Sequence, residues 1–439
     1  MRDSRTDFKA GDILELEITG IDLNFRGTAD SGEIEFIVPE SIPGDVCLVQ
    51  IESISRHHPK IYAKILEFRR VSKDHAVPHC SFYSECKSCN AMHFTAESRV
   101  RFKRELIKRY MKTDADFFPS PEQKNWRRKA KFFCKDISGQ TVMGSYIPGS
   151  HDLFPITQCN VLSEGINSIL REISVVISDI PSWNESSSEG ILRSIFLREG
   201  QGKILVTFVL ASSPDENTVA RLKSLESVNL IAGVSVNINS EKTNRLLGKT
   251  EFLIFGEDAL KIPVPGGYQF VTATDFSQAN QSIAFMAYEK IRELTGKNQS
   301  VCELFSGSGG ISITLSKDNS VVASEISPRL VNLAARGSDD ITVINMDVNE
   351  PGFINDLFMK NKFSVLVVNP PRTGLSNNLM EQICDSDIDK IVYMSCNVKT
   401  LASNSAFLKS IGNFDVDYVA GYDMFPDNSH FEVICTLIR

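Results

Sequence analysis

Glu303-Leu304-Phe305-Ser306-Gly307-Ser308-Gly309-Gly310 runs from an apolar strand into a glycine turn and on into a helix. Glycine permits the tight turn and the close approach of backbone to a bound molecule. Strands and helices alternate from here, and the pattern predicts strands at Val301–Phe305, Val321–Glu325, Thr342–Asn345, Val365–Asn369, Ile391–Ser395 and Phe431–Ile438. Such alternation predicts an α/β fold with a doubly wound, Rossmann-like sheet, whose ligands sit outside the carboxyl ends of the strands. Glu325 ends the second strand where an acid can accept both hydroxyls of a ribose, and Asp347 ends the third. No Gly-Lys-Ser/Thr phosphate loop follows, which disfavours a nucleoside triphosphate. NAD and S-adenosylmethionine both stay open on this segment.

Two further motifs decide between them. Asn369-Pro370-Pro371-Arg372 ends the fourth strand, where the prolines stiffen the backbone beside a reacting centre. An aromatic in fourth place would point to methylation of an exocyclic amine, but the residue is Arg372. The fifth strand delivers Ser395-Cys396-Asn397 to the same sheet edge. Carbon 5 of uracil is too poor a nucleophile to attack a methyl sulfonium, whereas thiolate addition at carbon 6 turns the ring into an enolate with its charge at carbon 5. After methyl transfer the carbon-5 proton must leave so that the thiol can be expelled, which calls for a general base. Glu432, in Pro426-Asp427-Asn428-Ser429-His430-Phe431-Glu432, stands at the start of the last strand for this role. A lone cysteine or glutamate at a strand end is usually structural; their joint occurrence reverses that reading. Gln278, in Phe276-Ser277-Gln278-Ala279-Asn280, offers an amide to orient the uracil or the methyl group, or is incidental beside a helix-capping Ser277.

At 439 residues the chain exceeds what one core normally fills. Its net charge of −8 speaks against a nucleic-acid partner. Locally, however, Arg127, Arg128, Lys129 and Lys131 lie beside Trp126, Phe132 and Phe133, which reads as an RNA footprint or as a solvated face. No stretch approaches the roughly 20 apolar residues of a bilayer span, and no signal-peptide pattern opens the chain. A cytoplasmic protein without a membrane partner is expected, and its ten cysteines should be reduced. Cys80, Cys86 and Cys89 form a Cys-x5-Cys-x2-Cys run with Cys159 as a possible fourth ligand, which suits zinc or an iron-sulfur cluster. Leu14, Leu16 and Ile18 alternate with Glu15 and Glu17, and turn signals recur up to Pro43-Gly44, predicting a small β-barrel over 11–69. From Ala96 to Met111 the spacing of Val100, Leu106, Ile107 and Tyr110 predicts a helix with one buried face and basic residues opposite. A strand-rich α+β middle follows, and the changes of pattern divide the chain into 1–69, 70–262 and 263–439.

Together these residues resemble the RNA uracil-5-methyltransferase family over nearly the whole chain. The resemblance implies S-adenosylmethionine as methyl donor and RNA as substrate. It places cofactor contacts at Gln278, Phe305, Gly310, Glu325, Asp347 and Asn369, with Cys396 as nucleophile and Glu432 as base. Residues 11–69, with Phe36-Ile37-Val38-Pro39 and Ile42-Pro43-Gly44-Asp45, are similar to the TRAM domain, an RNA-binding barrel of the OB type. Arg127-Arg128-Lys129-Ala130 and the stretch from Ser150-His151-Asp152 to Cys159 resemble the rRNA-modifying members, which implies a 4Fe-4S cluster on Cys80, Cys86, Cys89 and Cys159. Asn369, where many members carry aspartate, and the Gly309-Gly310 pair lean toward the branch acting on a different large-subunit uracil, while Val398 replaces a frequent proline. A neutral amide at Asn369 cannot act as a carboxylate base, which leaves that task to Glu432. The expectation is thus a monomeric methyltransferase of 23S rRNA. The alternatives are a tRNA uracil-5-methyltransferase, and a non-catalytic RNA-binding ribosome-assembly factor, whose fold would require neither Cys396 nor Glu432. A redox protein binding a nicotinamide would leave Cys396 and the Asn-Pro-Pro-Arg motif without a role.

Overall fold

Alternation leaves Leu14 and Leu16 on one face of β1 (Ile13–Glu17), where they pack on an apolar core while Ile13, Glu15 and Glu17 stay exposed. The protein was analysed as a computed structural model, which describes residues 8–439 except 244, 351, 353–356 and 359. With β2 (Gly20–Ile21), β3 (Gly27–Ser31), β4 (Ile34–Val38), β5 (Val46–Ile54) and β6 (Lys60–Arg70), β1 forms a six-stranded sheet in the order β1-β5-β6-β4-β3-β2. Ile34, Phe36, Val49, Ile51 and Ile61 fill its core. Repeated register shifts between β5 and β6 mark bulges, which bend a sheet back on itself. This strand-rich region is consistent with the expected β-barrel; residues 1–7 of that expectation lie outside the described ones.

The chain forms two units, the first comprising residues up to Pro119 together with Phe425–Phe431, the second Ser120–Met424 with Glu432–Arg439. In the first, the helix Ala96–Met111 is capped by Thr95, whose side chain accepts from the Ser98 N–H, and β7 (Asp116–Phe118) follows. Leu106 and Ile107 are buried as predicted, but the basic residues do not all face water: Arg99 and Lys103 are buried too. What compensates them is the segment Phe425–Phe431. Lys103 Nζ donates to the Phe425 carbonyl at 3.0 Å, and Arg99 Nη1 lies 3.4 Å from the buried Asp427 carboxylate. Buried charges survive only with such partners.

In the second unit β8 (Lys129–Ile137), β9 (Gln140–Tyr146), β10 (Leu153–Pro155), β11 (Leu192–Gly200), β12 (Lys203–Leu210), β13 (Ile231–Ile238) and β14 (Thr250–Gly256) form a sheet ordered β10-β9-β8-β11-β12-β13-β14. The helix Glu164–Ile177 buries Ile166, Ile169, Leu170, Ile173 and Ile177 in the core of this sheet, giving the α+β layer anticipated for the middle of the chain. A hairpin of β15 (Leu260–Val264) and β16 (Gly267–Val271) follows.

The remaining strands carry the site: β17 (Ser300–Leu304), β18 (Ser320–Glu325), β19 (Ile341–Asn345), β20 (Val365–Val368), β21 (Lys390–Ser395), β22 (Asp415–Tyr422) and β23 (Glu432–Ile438). Their order is β19-β18-β17-β20-β21-β23-β22. β19 to β21 run parallel, and β23 enters antiparallel between β21 and β22. The unbroken apolar run Val365-Leu366-Val367-Val368 is wholly buried, as a strand covered on both faces must be. Strand order reverses between β17 and β20, the switch point where such sheets open a ligand crevice. Six predicted strands are recovered with small shifts at their ends; β22 was not anticipated.

Candidate active site

At the switch point the backbone itself is shaped for a ligand. Phe305, directly after β17, takes φ +62°, and Gly307 (φ +58°) and Gly309 (φ +83°) continue the turn into the helix Gly310–Ser316. A Cβ on Gly310 would lie 2.7 Å from Gln269 Oε1 and 3.0 Å from the Tyr288 ring, so this position accepts no larger residue without displacement. Glu325 at the end of β18 is braced by two backbone donors, Gly307 N–H at 3.0 Å and Ser327 N–H at 2.9 Å. Each carboxylate oxygen keeps acceptor capacity for a further partner, and the residue is half-buried. Asp347, after β19, accepts from the Asn349 N–H at 2.9 Å. Asn369 follows β20 at the same end of the sheet, half-buried.

Cys396 follows β21 directly. Asn397 caps the helix Val398–Gly412 by accepting from the N–H groups of Lys399 and Thr400. Its Nδ2 donates to the Arg372 carbonyl at 3.2 Å, and Thr400 Oγ1 does the same at 3.2 Å. The Asn-Pro-Pro-Arg turn and the cysteine are thereby fastened to each other. Across the sheet Ser395 pairs with Val433, so the next residues along, Cys396 and Glu432, meet at the end of the β21–β23 ladder.

Electrostatics separates this pair from ordinary surface groups. Glu432 is 3 % exposed, and burial lifts its carboxyl to about 8 against the opposing effects of the Gln278 amide and the Arg372 charge. Gln278 Nε2 points at Glu432 Oε1, 3.5 Å away. Burial also raises the Cys396 thiol, Glu432 adds to the rise, and Arg372 opposes it by charge and hydrogen bond. Arg372 was noted in the sequence only for not being aromatic; here its charge acts on both reactive groups.

The basic run near Trp126 acts largely inside the protein. Trp126 and Phe132 are buried, and Arg128 Nη1 pairs with Glu199 Oε1 at 2.7 Å. Lys129 and Arg198 are register partners on β8 and β11. Lys129 Nζ donates to the Asp275 carbonyl, and the buried Arg198 donates from Nη2 to the Gln278 carbonyl at 3.3 Å. Burial, then repulsion from Arg198, lowers the Lys129 ammonium to about 8. The two cations bracket the segment that carries Gln278. Lys131 remains exposed, its ammonium 4.5 Å from the Phe133 ring centre, so the expected footprint keeps this part alone of its four cations fully at the surface. Nothing in the sequence marked Arg198 beyond a charge within an apolar strand.

Cys80, Cys86 and Cys89 belong to the first unit and Cys159 to the second. All four are free and half-buried, unlike the buried Cys47, Cys134, Cys302 and Cys435. Among the described residues no three His, Cys, Asp or Glu side chains are gathered so as to hold a metal ion. Four thiols suit the donor chemistry of an iron-sulfur cluster, but this arrangement does not assemble them into one.

A glycine turn, a ribose-directed acid and a reactive cysteine at the carboxyl edge of a doubly wound sheet define a class of methyltransferase fold. A sequence model of the tRNA (Uracil-5-)-methyltransferase family matches residues 92–439, and the chain belongs to that family of RNA methyltransferases. Among similar proteins is an uncharacterized RNA methyltransferase of Enterococcus faecalis, 26% identical over 98% of both chains. Another from Halalkalibacterium halodurans is 27% identical, covering 98% of this chain and 97% of the relative. The crystal structure of a Pyrococcus abyssi tRNA (uracil-54, C5)-methyltransferase in complex with S-adenosyl-L-homocysteine shares the fold, with a TM-score of 0.78 and 20% identity over 97% of this chain and 99% of that one. Among the described residues no helix is long and apolar enough to cross a membrane.

Proposed function

We propose that the protein transfers a methyl group from S-adenosylmethionine to carbon 5 of a uracil in RNA, with Cys396 as covalent nucleophile and Glu432 as general base. The observation that carries this is the meeting of Cys396 and a buried Glu432 at the end of the β21–β23 ladder, beside Gln278. The Cys396 thiolate adds to carbon 6, and the electron pair displaced to carbon 5 takes the methyl group as the sulfonium S–C bond breaks. Glu432 then accepts the carbon-5 proton; the freed pair forms the carbon 5–carbon 6 double bond, and the carbon 6–sulfur bond breaks to release thiolate. Glu325 is placed for the ribose of the methyl donor, with Phe305, Gly310, Asp347 and Asn369 around the rest of it.

The rRNA target rests on the resemblance of Asn369 and Gly309-Gly310 to one branch. A tRNA target draws on the Pyrococcus abyssi enzyme, whose fold spans this chain almost end to end, barrel region included; the barrel therefore does not separate the two. Methyl transfer from labelled S-adenosylmethionine to unmodified 23S rRNA, its fragments and tRNA decides: label recovered as 5-methyluridine in one of them names the substrate, and no transfer to any RNA defeats the reading. We read 1–69 as an RNA-binding module, 70–262 as a central domain and 263–439 as the methyltransferase domain. A 4Fe-4S cluster on Cys80, Cys86, Cys89 and Cys159 is proposed from their spacing alone, and no step of the reaction passes through it; iron and acid-labile sulfide in protein purified without oxygen would test it.

Turnover should depend on pH in a direction set by these two groups. The base works only when ionised, and a carboxyl lifted to about 8 is mostly protonated below that value. The Cys396 thiol is raised as well, so both effects act together. Between pH 6 and 8 the rate should rise roughly tenfold per unit at the acid end; a flat profile over that range would contradict the buried acid as base.

A further inference from the structure

Phe425–Phe431 runs directly into Glu432, yet it is built into the first unit. Its most direct anchor is a side chain next to Cys89. Asn90 Oδ1 accepts from the Ser429 N–H at 2.9 Å, while its Nδ2 donates to Ser429 Oγ at 3.2 Å and to the Asn24 carbonyl at 2.9 Å. On either side of it, the Ala91 N–H donates to the Asp427 carbonyl at 3.1 Å, and Asn428 Nδ2 donates to the Ser88 carbonyl at 3.0 Å. Three consecutive residues, Asp427, Asn428 and Ser429, are each held by a different residue of 88–91. Asn90 is the one that does so with its side chain, and all of its anchoring is spent on Ser429 and the Asn24 turn.

The chain between Ser429 and the first residue of β23 is too short to absorb much displacement. An error at Ser429 therefore passes to Glu432, whose carboxylate must meet a proton at one face of the ring. Misplacement of about 1 Å by a residue remote from the chemistry can cost on the order of 100-fold in rate. We propose that Asn90 is a positioning residue for the final step of the reaction, fixing the entry of the chain into β23 so that Glu432 reaches the carbon-5 proton. The inference rests on reading Glu432 as the base. It assigns the cysteine loop a specific task in product release that holds whether or not its thiols carry a metal.

A merely structural role would slow every step alike, so the test separates the steps. In the full-length Asn90→Ala protein, S-adenosylmethionine affinity and the first-turnover yield of S-adenosylhomocysteine should stay within about twofold of the parent. Release of methylated RNA should fall by roughly tenfold or more, with a denaturant-stable, methylated protein–RNA adduct accumulating. Asn90→Asp, which keeps the acceptor for the Ser429 N–H, should recover most of the release rate. Equal slowing of methyl transfer and release, or no adduct, would overturn the inference. Glu432→Gln is run in parallel. If it traps adduct and Asn90→Ala does not, only the positioning role falls; if it traps none, the base assignment falls and takes this inference with it.

Discussion

Cys396→Ala should abolish methyl transfer to RNA, by about 10,000-fold or more, while leaving the binding of S-adenosylhomocysteine intact. Loss of a covalent nucleophile removes a reaction path rather than weakening a contact, and nucleophile deletions in other enzymes reach or exceed that scale. Without the carbon-6 adduct there is no enolate at carbon 5, and no donor positioning substitutes for it. The residue is half-buried after β21, and its replacement removes one sulfur from a loop already fixed by Asn397 and Thr400 on the Arg372 carbonyl. The fold should therefore persist, visible as an unchanged upward shift in melting temperature on adding S-adenosylhomocysteine. Residual transfer above about one per cent of the parent rate would rule out covalent catalysis by this thiol.

Glu432→Gln should behave in the opposite way, forming product that cannot leave. Cys396 still adds to carbon 6 and the methyl group still moves, but an amide takes no proton from carbon 5, so methylated RNA stays bonded to the protein. Denaturing electrophoresis with labelled methyl donor should show near-stoichiometric adduct and turnover reduced by roughly 1,000-fold; normal yields of free methylated RNA would remove Glu432 from the mechanism. The same variant should be more stable than the parent. A buried acid held to about 8, against an ordinary value of 4.5, keeps its proton in the folded state where the unfolded chain has lost it. Folded protein thus binds more protons than unfolded between those values, and stability falls as pH rises through that window. Glutamine removes this cost, so its melting temperature should exceed the parent's by several degrees at pH 8 and match it near pH 4.5.

Much of the catalytic sheet was legible because parallel strands covered on both faces must be continuously apolar, and Val365–Val368 and Ile391–Met394 are. Cys396 and Glu432 were legible by chemistry, since uracil methylation needs a nucleophile and a base at one sheet edge, and the β21–β23 register supplies the meeting that sequence leaves open. β22 was missed because Asp415, Asp417 and Tyr418 interrupt the apolar pattern on its exposed half. The buried Arg99, Lys103 and Arg198 were unreadable for a different reason. A cation is assigned to water by default, and what keeps these inside is a carbonyl or carboxylate far away in the chain, at Phe425, Asp427 and Gln278. Such pairings are a property of the tertiary fold and leave no local trace.

The insertion of β23 between β21 and β22 gives the base an unusual kind of permanence. Val433 to Leu437 are hydrogen-bonded along both edges, so their amides have no fraying end of a sheet through which to open and exchange with solvent. Segments of that kind open only with the cooperative unit that contains them. The carboxylate at the head of such a strand is shielded between turnovers as well as during them, and bulk water reaches it by way of the cleft rather than through the sheet. Proton inventory at Glu432 then follows the traffic of RNA: each substrate that enters must displace water from the acid, and each product that leaves must let the proton out by the same door.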